Sequence, residues 1–206
     1  MRLSYAVLVH NEGDSLAKLL AAIRKPARAF AWEIVLVDDF STDPRTCEIL
    51  SAEQLAGTKV FKRALADDFA AQKNFLNEQC GGDYIFNLDA DELPPLRLVA
   101  QADVYCRREP QVDVFELPRL NTIADASDAD LSAWGKTRNA LHHIDWPDWQ
   151  QRLYRRVPSI RWQGRVHEKL SGYGSIMRFP AEPGFAIVHS KTRAQQMIAQ
   201  AKYLKI

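Results

Sequence analysis

Three carboxylates crowd the stretch Leu88-Asp89-Ala90-Asp91-Glu92, directly behind the apolar run Tyr84-Ile85-Phe86. Along an extended chain, residues two apart point to the same side, so Asp89 and Asp91 share a face and the small Ala90 turns away. Paired carboxylates with so little bulk between them suit a hard divalent cation that also holds phosphate oxygens. A solvated acidic loop after a strand has the same letters, because Asp-x-Asp is short and common. Two further polar clusters follow apolar runs in the same way: His10-Asn11-Glu12 after residues 3–9, and Asp38-Asp39 after residues 33–37. No Gly-x-Gly-x-x-Gly or P-loop accompanies them, which removes the dinucleotide and ATPase cradles. Carboxylates on several strand ends suit a nucleoside instead. Asp39 is placed to accept hydrogen bonds from ribose hydroxyls or base N–H groups, while a metal at Asp91 takes a diphosphate.

The elements that must position these groups are regular over the first ninety residues. Residues 3–9 and 33–37 read as buried strands, 58–62 as a shorter one, and 84–88, behind the tight turn Gly81-Gly82, as a fourth. Between them, Leu16, Leu19, Leu20 and Ile23 recur at helical spacing until Pro26, with Asp14 or Ser15 as cap. A second helix, capped by Ser41 or Thr42, carries Pro44 in its first turn and runs to about Ala56. A third spans 67–80. This β-α-β-α-β-α-β order predicts an α/β fold with a parallel, right-handed, doubly wound sheet, whose strands carry all three polar clusters to one edge.

The second half is less regular. The spacing predicts a helix over 96–107, a half-exposed strand over 112–117, a polar surface loop over 121–133, a strand over 185–189, and a helical tail over 191–206. That tail carries Met197, Ile198, Ala201 and Leu204 on one face. Between 134 and 162 the texture changes. Trp134, Trp146, Trp149 and Trp162 accompany His142, His143, Asp145, Asp148, Arg152, Arg155 and Arg156. This reads as the acceptor side of a cleft, or as a tryptophan-rich subcore with a basic edge.

Composition bounds the class. The 206 residues are 47% hydrophobic and 26% charged, enough for one sizeable core. Lys and Arg number 27 against 26 Asp and Glu, so bulk electrostatics do not favour a stable nucleic-acid complex. Cys47, Cys80 and Cys106 are odd in number and form no Cys-x-x-Cys pattern, which fits buried thiols in a reducing compartment. No apolar run reaches the length of a membrane span, and no signal-peptide pattern opens the chain. The expectation is a cytoplasmic protein with peripheral membrane contact at most.

Four pieces in this order and spacing resemble a known family: Val7-Leu8-Val9-His10-Asn11-Glu12; Ile34 through Asp43; Asp68-Phe69-Ala70-Ala71-Gln72-Lys73-Asn74; and Leu88 through Glu92. Together they resemble family 2 glycosyltransferases of the GT-A fold. That fold is a Rossmann-like, mostly parallel sheet with a small irregular acceptor-side subdomain. Trp146 through Arg155 and Val166-His167-Glu168 are similar to the subgroup related to lipopolysaccharide-core glycosyltransferases. The resemblance implies one GT-A domain, with a nucleotide-sugar-binding half (1–95) and an acceptor-binding and catalytic half (96–206). It also implies inverting transfer from a nucleotide-sugar, most often a UDP-sugar, to a hydroxyl of a glycan-type acceptor, with Mn²⁺ or Mg²⁺. His10, Asn11, Glu12, Asp38, Asp39, Lys73, Asp89 and Ala90 are the donor-site expectations. Asp91 is the expected metal ligand, and Asp89 touches ribose or metal. His189 either completes the metal shell or is a strand-end histidine bonded to backbone. Asp148 is the general base by position, although Pro147 stands where relatives carry a glutamate, and Glu168 is the rival. Trp146 and Trp149 would stack on a sugar, and Arg152, Arg155 or Lys191 would neutralise the diphosphate. The chain is expected to be close to a bare catalytic domain, without the long C-terminal extensions of many relatives.

Other readings remain at this point. A nucleotidyltransferase would need a glycine-rich, basic loop after the first strand, and His10-Asn11-Glu12-Gly13 is no such loop. A catalytically silent nucleotide-sugar- or carbohydrate-binding module would not need the complete Asp89/Asp91 pair. A glycosyltransferase acting on modified nucleic acid shares every feature above.

Overall fold

The computed structural model describes residues 1–26 and 30–203. Four parallel strands, β1 (Arg2–Val9), β2 (Ala31–Asp38), β3 (Lys59–Lys62) and β4 (Tyr84–Asp89), pair in the order β3-β2-β1-β4. Helices α1 (Asp14–Arg24), α2 (Pro44–Leu55) and α3 (Phe69–Gln79) connect them, as the periodicity predicts. Side-chain alternation sorts the strands between two cores. Tyr5, Val7 and Val9 pack with α1 and with α4 (Leu96–Arg108) on one face. Ala6, Val35 and Val37 pack with α3 on the other.

The turn before β4 depends on glycine. A Cβ on Gly82 would lie 2.6 Å from Ser4 Oγ and 2.8 Å from the Ser4 amide nitrogen. Its own N–H donates to Ser4 Oγ at 2.8 Å. The bare backbone therefore lies against β1 and sets where β4 begins.

Beyond β4 the sheet changes sense. β7 (Ile144–Arg155) runs antiparallel to β4, and β6 (Val114–Ala124) is antiparallel to β7. β11 (Ile187–Thr192) lies parallel to β6 and is closed by the short β5 (Glu92–Leu93). β10 (Ile176–Arg178) extends the same edge of β6. A separate hairpin, β8 (Arg161–Gln163) with β9 (Lys169–Ser171), covers α3. The architecture is a mixed α/β one around a curled, mostly parallel sheet.

Several boundaries differ from expectation. Residues 121–133 are not a surface loop. β6 continues through Ala124, because β11 pairs with its residues 119–124. α5 (Asp128–Ala133) follows, started by a capping box in which Ser127 and Asp130 satisfy each other's backbone N–H groups. The cap of α2 is Asp43, not Ser41 or Thr42, because its carboxylate accepts the Thr46 N–H at 2.7 Å. The cap position of α1 falls on Gly13, ahead of Asp14. The last strand starts at Ile187, and α6 (Arg193–Tyr203) turns Met197 and Ile198 to solvent. Leu204, and the side chain of Ala201, lie outside the described residues.

Candidate active site

The carboxyl ends of β1, β2 and β4 open into a cavity of about 1040 Å³, where open α/β sheets bind ligands. His10, Glu12, Asp39, Asp89, Ala90 and Asp91 line its floor, and Lys73, Asp148, Glu168, His189 and Lys191 line its sides. Two donor-site candidates stand back from it. Asn11 takes a positive φ of 66°, which asparagine tolerates. Its Oδ1 accepts the Thr42 and Asp43 N–H groups at 2.7 and 2.8 Å, so it shapes the loop beneath the cavity. Asp38 is buried and accepts the Ser41 N–H at 2.9 Å. Asp39 keeps a cavity position, with Oδ1 accepting the Leu65 N–H at 2.8 Å and Oδ2 3.5 Å from His10 Nδ1.

The two aspartates of the acidic strand end differ sharply. Asp89 Oδ2 lies 2.6 Å from Arg152 Nη2. Burial raises its pKa, but the adjacent guanidinium outweighs that and holds the carboxyl far below the ordinary range. Arg152 is itself buried, and the same nitrogen donates to Glu92 Oε1 at 2.6 Å. Its charge is therefore consumed inside the protein and does not face the cavity as a diphosphate ligand would. Arg155 is engaged by Tyr84 Oη at 3.2 Å, away from the cavity lining.

Asp91 meets no guanidinium. Its Oδ2 lies 3.4 Å from His189 Nε2. Burial raises its pKa, and the contact with His189 and the charge of Lys191 more than offset this, leaving it below the usual carboxylate range.

The state of His189 follows from its other neighbour. Asn121 Nδ2 lies 2.8 Å from Asp148 Oδ2, and an ionised carboxylate can only accept, so the amide nitrogen donates there. Asn121 Oδ1 then faces His189 Nδ1 at 3.0 Å and accepts its N–H. With Nδ1–H committed to Asn121, Nε2, 3.4 Å from Asp91, is the nitrogen left to bind a cation beside that carboxylate once it carries no proton. An anionic oxygen and an imidazole lone pair on one open wall fit a divalent cation that takes its remaining oxygens from a ligand and water. Among the described residues no three His, Cys, Asp or Glu side chains gather into a complete metal shell.

Asp148 stands opposite Arg119 across the β6–β7 pair. Its Oδ2 accepts from Arg119 Nε at 2.9 Å and from Asn121, and its Oδ1 accepts from Gln150 Nε2 at 2.6 Å. Burial raises its pKa, but these donors, Arg119 first, hold it low. Arg119 also reaches Glu92 at 3.2 Å, so one cation joins a buried carboxylate behind the cavity to Asp148 in its wall. Glu168 pairs with Lys73 at 2.5 Å, and that ammonium lies over the Trp162 ring at 4.3 Å. Glu12 is different again. It accepts the His10 N–H at 2.6 Å, and burial, with the nearby charge of Asp91, pushes its carboxyl up to about 7.

The tryptophans sort themselves against expectation. Trp162 is a core residue bonded to Tyr154 Oη. Trp149 lies under the Arg178 guanidinium, and Trp146 beside His143. Neither Trp146 nor Trp149 lines the cavity, whereas Trp134 does. Arg119 and Asn121 were not recognisable from sequence. Their only signal is a position on a strand opposite Asp148, and that register is not written locally.

The sheet with its strand-end cavity is that of a domain of the GT-A type. The family model for Glycosyl transferase family 2 matches residues 4–181, and the chain belongs to that family. A TPR repeat-containing protein of Synechococcus elongatus is 28% identical over 167 residues, which cover 81% of this chain and 35% of that protein. The undecaprenyl-phosphate 4-deoxy-4-formamido-L-arabinose transferase of Salmonella paratyphi B is 31% identical over 112 residues, covering 50% of this chain and 34% of that enzyme. The S. aureus TarS 1-349 structure superposes with a TM-score of 0.62 at 16% identity, covering 92% of this chain and 60% of that one. TarS 1-349 in complex with UDP-GlcNAc gives a TM-score of 0.59 at 17% identity, over 93% and 59% of the two chains. The chain thus spans about a third of the length of these curated relatives. Among the described residues no helix is long and apolar enough to cross a membrane.

Proposed function

We propose that the domain transfers a sugar, with inversion, from a nucleotide-sugar to a hydroxyl of a glycan-type acceptor. The first half, 1–95, holds the donor and 96–206 presents the acceptor. The observation that carries the reading is the pairing of Asp91 with the lone-pair nitrogen of His189, in one cavity with Asp39. Membership of Glycosyl transferase family 2 supports it. So does the shared fold with TarS, which has been solved with UDP-GlcNAc, and a UDP-sugar is the donor we favour.

Asp39 accepts hydrogen bonds from the nucleoside through the oxygen left facing the cavity. Asp91 and His189 would hold Mn²⁺ or Mg²⁺, which when bound offsets charge on the leaving diphosphate. Lys191 lies on the same wall and adds to that offset. Asp148 is the general base. Three of its bonds converge on Oδ2, counting both Arg119 nitrogens at 2.9 and 2.8 Å and Asn121 at 2.8 Å. Oδ1 carries only the bond from Gln150, so it has a lone pair left for the acceptor's proton. As that proton moves, the acceptor oxygen forms its bond to the anomeric carbon. The bond to the diphosphate oxygen breaks on the opposite side and takes its electron pair. Glu168, held by Lys73, contributes position and not proton transfer. Asp89, clamped by Arg152, shapes the floor and is free to meet ribose but not a cation. The place of action is the cytoplasm, with contact at a membrane surface when the acceptor is a lipid-linked glycan.

The test is thermal unfolding with UDP and Mn²⁺ together. The wild-type midpoint rises, and Asp91→Ala loses the metal-dependent part of the rise. An undiminished rise in the variant would remove Asp91 from the metal shell. UDP release from a UDP-sugar panel separates a transferase from a silent binder, which releases none at any metal concentration.

A further inference from the structure

The cavity extends past the donor floor. At its far end Trp134 and Ile144 form one side, and Gln196, Ala199 and Gln200 of α6 form the other. Positions 196, 199 and 200 are spaced i, i+3, i+4 and share one helical face. The outward side of this helix carries Met197 and Ile198, exposed by 50% and 70%. A helix docked only for packing would bury its methionine and isoleucine and turn its amides to water. Here two glutamines line a cavity that a half-buried indole also lines.

The two sides are held in place from outside the cavity. Arg193, at the start of α6, donates to Asp130 Oδ1 of α5 at 2.7 Å, and Trp134 directly follows α5. Two of the basic groups near this end are neutralised in the same way, since Arg193 is spent on Asp130 and Lys136 sits 3.3 Å from Asp145. The volume, about 1040 Å³, lies at the upper end of the roughly 300–1,000 Å³ typical of ligand pockets.

We propose that this end of the cavity is a subsite for an uncharged saccharide ring of the acceptor. The Trp134 indole packs on the C–H face of the ring, and the Gln196 and Gln200 amides bond its hydroxyls. Carboxamides offer donor and acceptor together, which matches hydroxyl pairs. An aromatic face offers apolar area with little entropy to lose. Lys191, which lines the cavity, serves the diphosphate in the reading above, and Lys136 and Arg193 already hold carboxylates, so among the described residues an anionic headgroup finds no further cation at this end. The inference rests on the transferase reading above and names the part of the acceptor that the site grips.

The experiment uses the full chain with its tryptophans replaced by 5-fluorotryptophan, and the Trp134 ¹⁹F resonance assigned from Trp134→Phe. Methyl glycosides of glucose, galactose, mannose and N-acetylglucosamine are titrated to millimolar concentrations with UDP and Mn²⁺ present. At least one glycoside is expected to shift the Trp134 resonance saturably. Gln196→Ala/Gln200→Ala weakens that response about fivefold or more through the lost hydrogen bonds, and Ala199→Phe, which fills the space, removes it. No shift with any glycoside, or a shift unchanged in both variants, overturns the proposal. A shift by farnesyl phosphate with none by the glycosides also overturns it, because the site would then be a lipid groove. UDP binding by the wild-type sample is read in parallel. Its loss counts against the transferase reading, whereas its presence without a glycoside response counts against the subsite alone.

Discussion

Two sets of carboxylates meet in and directly behind the cavity, and they are held by different means. Asp89, Glu92, Asp148 and Glu168 each touch an arginine or lysine: Arg152, Arg119 and Lys73 between them. Asp91, Asp39 and Glu12 touch imidazoles and backbone N–H groups instead. The clamped set sits where the antiparallel strands β6 and β7 and the β8–β9 hairpin close over the parallel sheet. The unclamped set lies around the open floor. A carboxylate whose partner is a built-in cation has its charge offset inside the protein, and what it can still offer is an unshared lone pair, as Asp148 Oδ1 does. One without such a partner carries charge that a metal or a sugar hydroxyl can still use. Opposite signs should therefore follow when charge is removed from each set.

Breaking the clamp has the largest expected effect. Arg152→Ala leaves Asp89 and Glu92 without their shared cation, and buried pairs broken from one side cost about 3–5 kcal/mol. Urea unfolding should show that loss, and a loss below about 1 kcal/mol would mean the clamp is not structural. Asp148→Asn keeps the shape of the wall and removes the proton acceptor. Transfer should fall by about 10²–10⁴ while UDP affinity holds, and the same drop in Glu168→Gln with Asp148→Asn active would move the base to Glu168.

Asn121→Ala acts through the two side chains it bonds, His189 and Asp148. It frees the His189 ring and one Asp148 oxygen, so Mn²⁺ affinity, read by isothermal titration with UDP present, should weaken about 10- to 100-fold.

Glu12→Gln is the smallest change and carries the reverse sign. The folded carboxyl is raised to about 7, above its unfolded value, so the neutral form is the one the fold favours. Wild type and variant should match below the unfolded pKa. Wild-type stability should fall between there and about pH 7, leaving the variant about 1–3 kcal/mol more stable in alkali without metal. Parallel melting curves across that range would place Glu12 outside the unclamped set.

The parallel half and its strand-end acids were legible because their signals are local. Apolar runs, helical spacing and glycine turns occur every few residues, and a parallel βαβ unit has one favoured hand. Asp91 could be named from its own neighbourhood for the same reason. What hid the rest is visible along β6, whose pairing with β7 shifts register twice, between Phe115 and Glu116 and between Arg119 and Asn121. Each shift breaks the period-two rule for which side chains face in. Nothing in the letters therefore put Arg119 and Asn121 on Asp148.

The order of elements, the edge where the acids emerge and the place of Asp91 on that edge were determined by the chain itself. Only tertiary structure decided that Arg152 is buried beneath Asp89, that Trp134 lines the cavity while Trp146 and Trp149 do not, and that α6 turns Gln196 and Gln200 inward. Those outcomes depend on residues tens of positions apart meeting across a mixed sheet. The partner of a charge is set by that meeting and not by its neighbours in sequence.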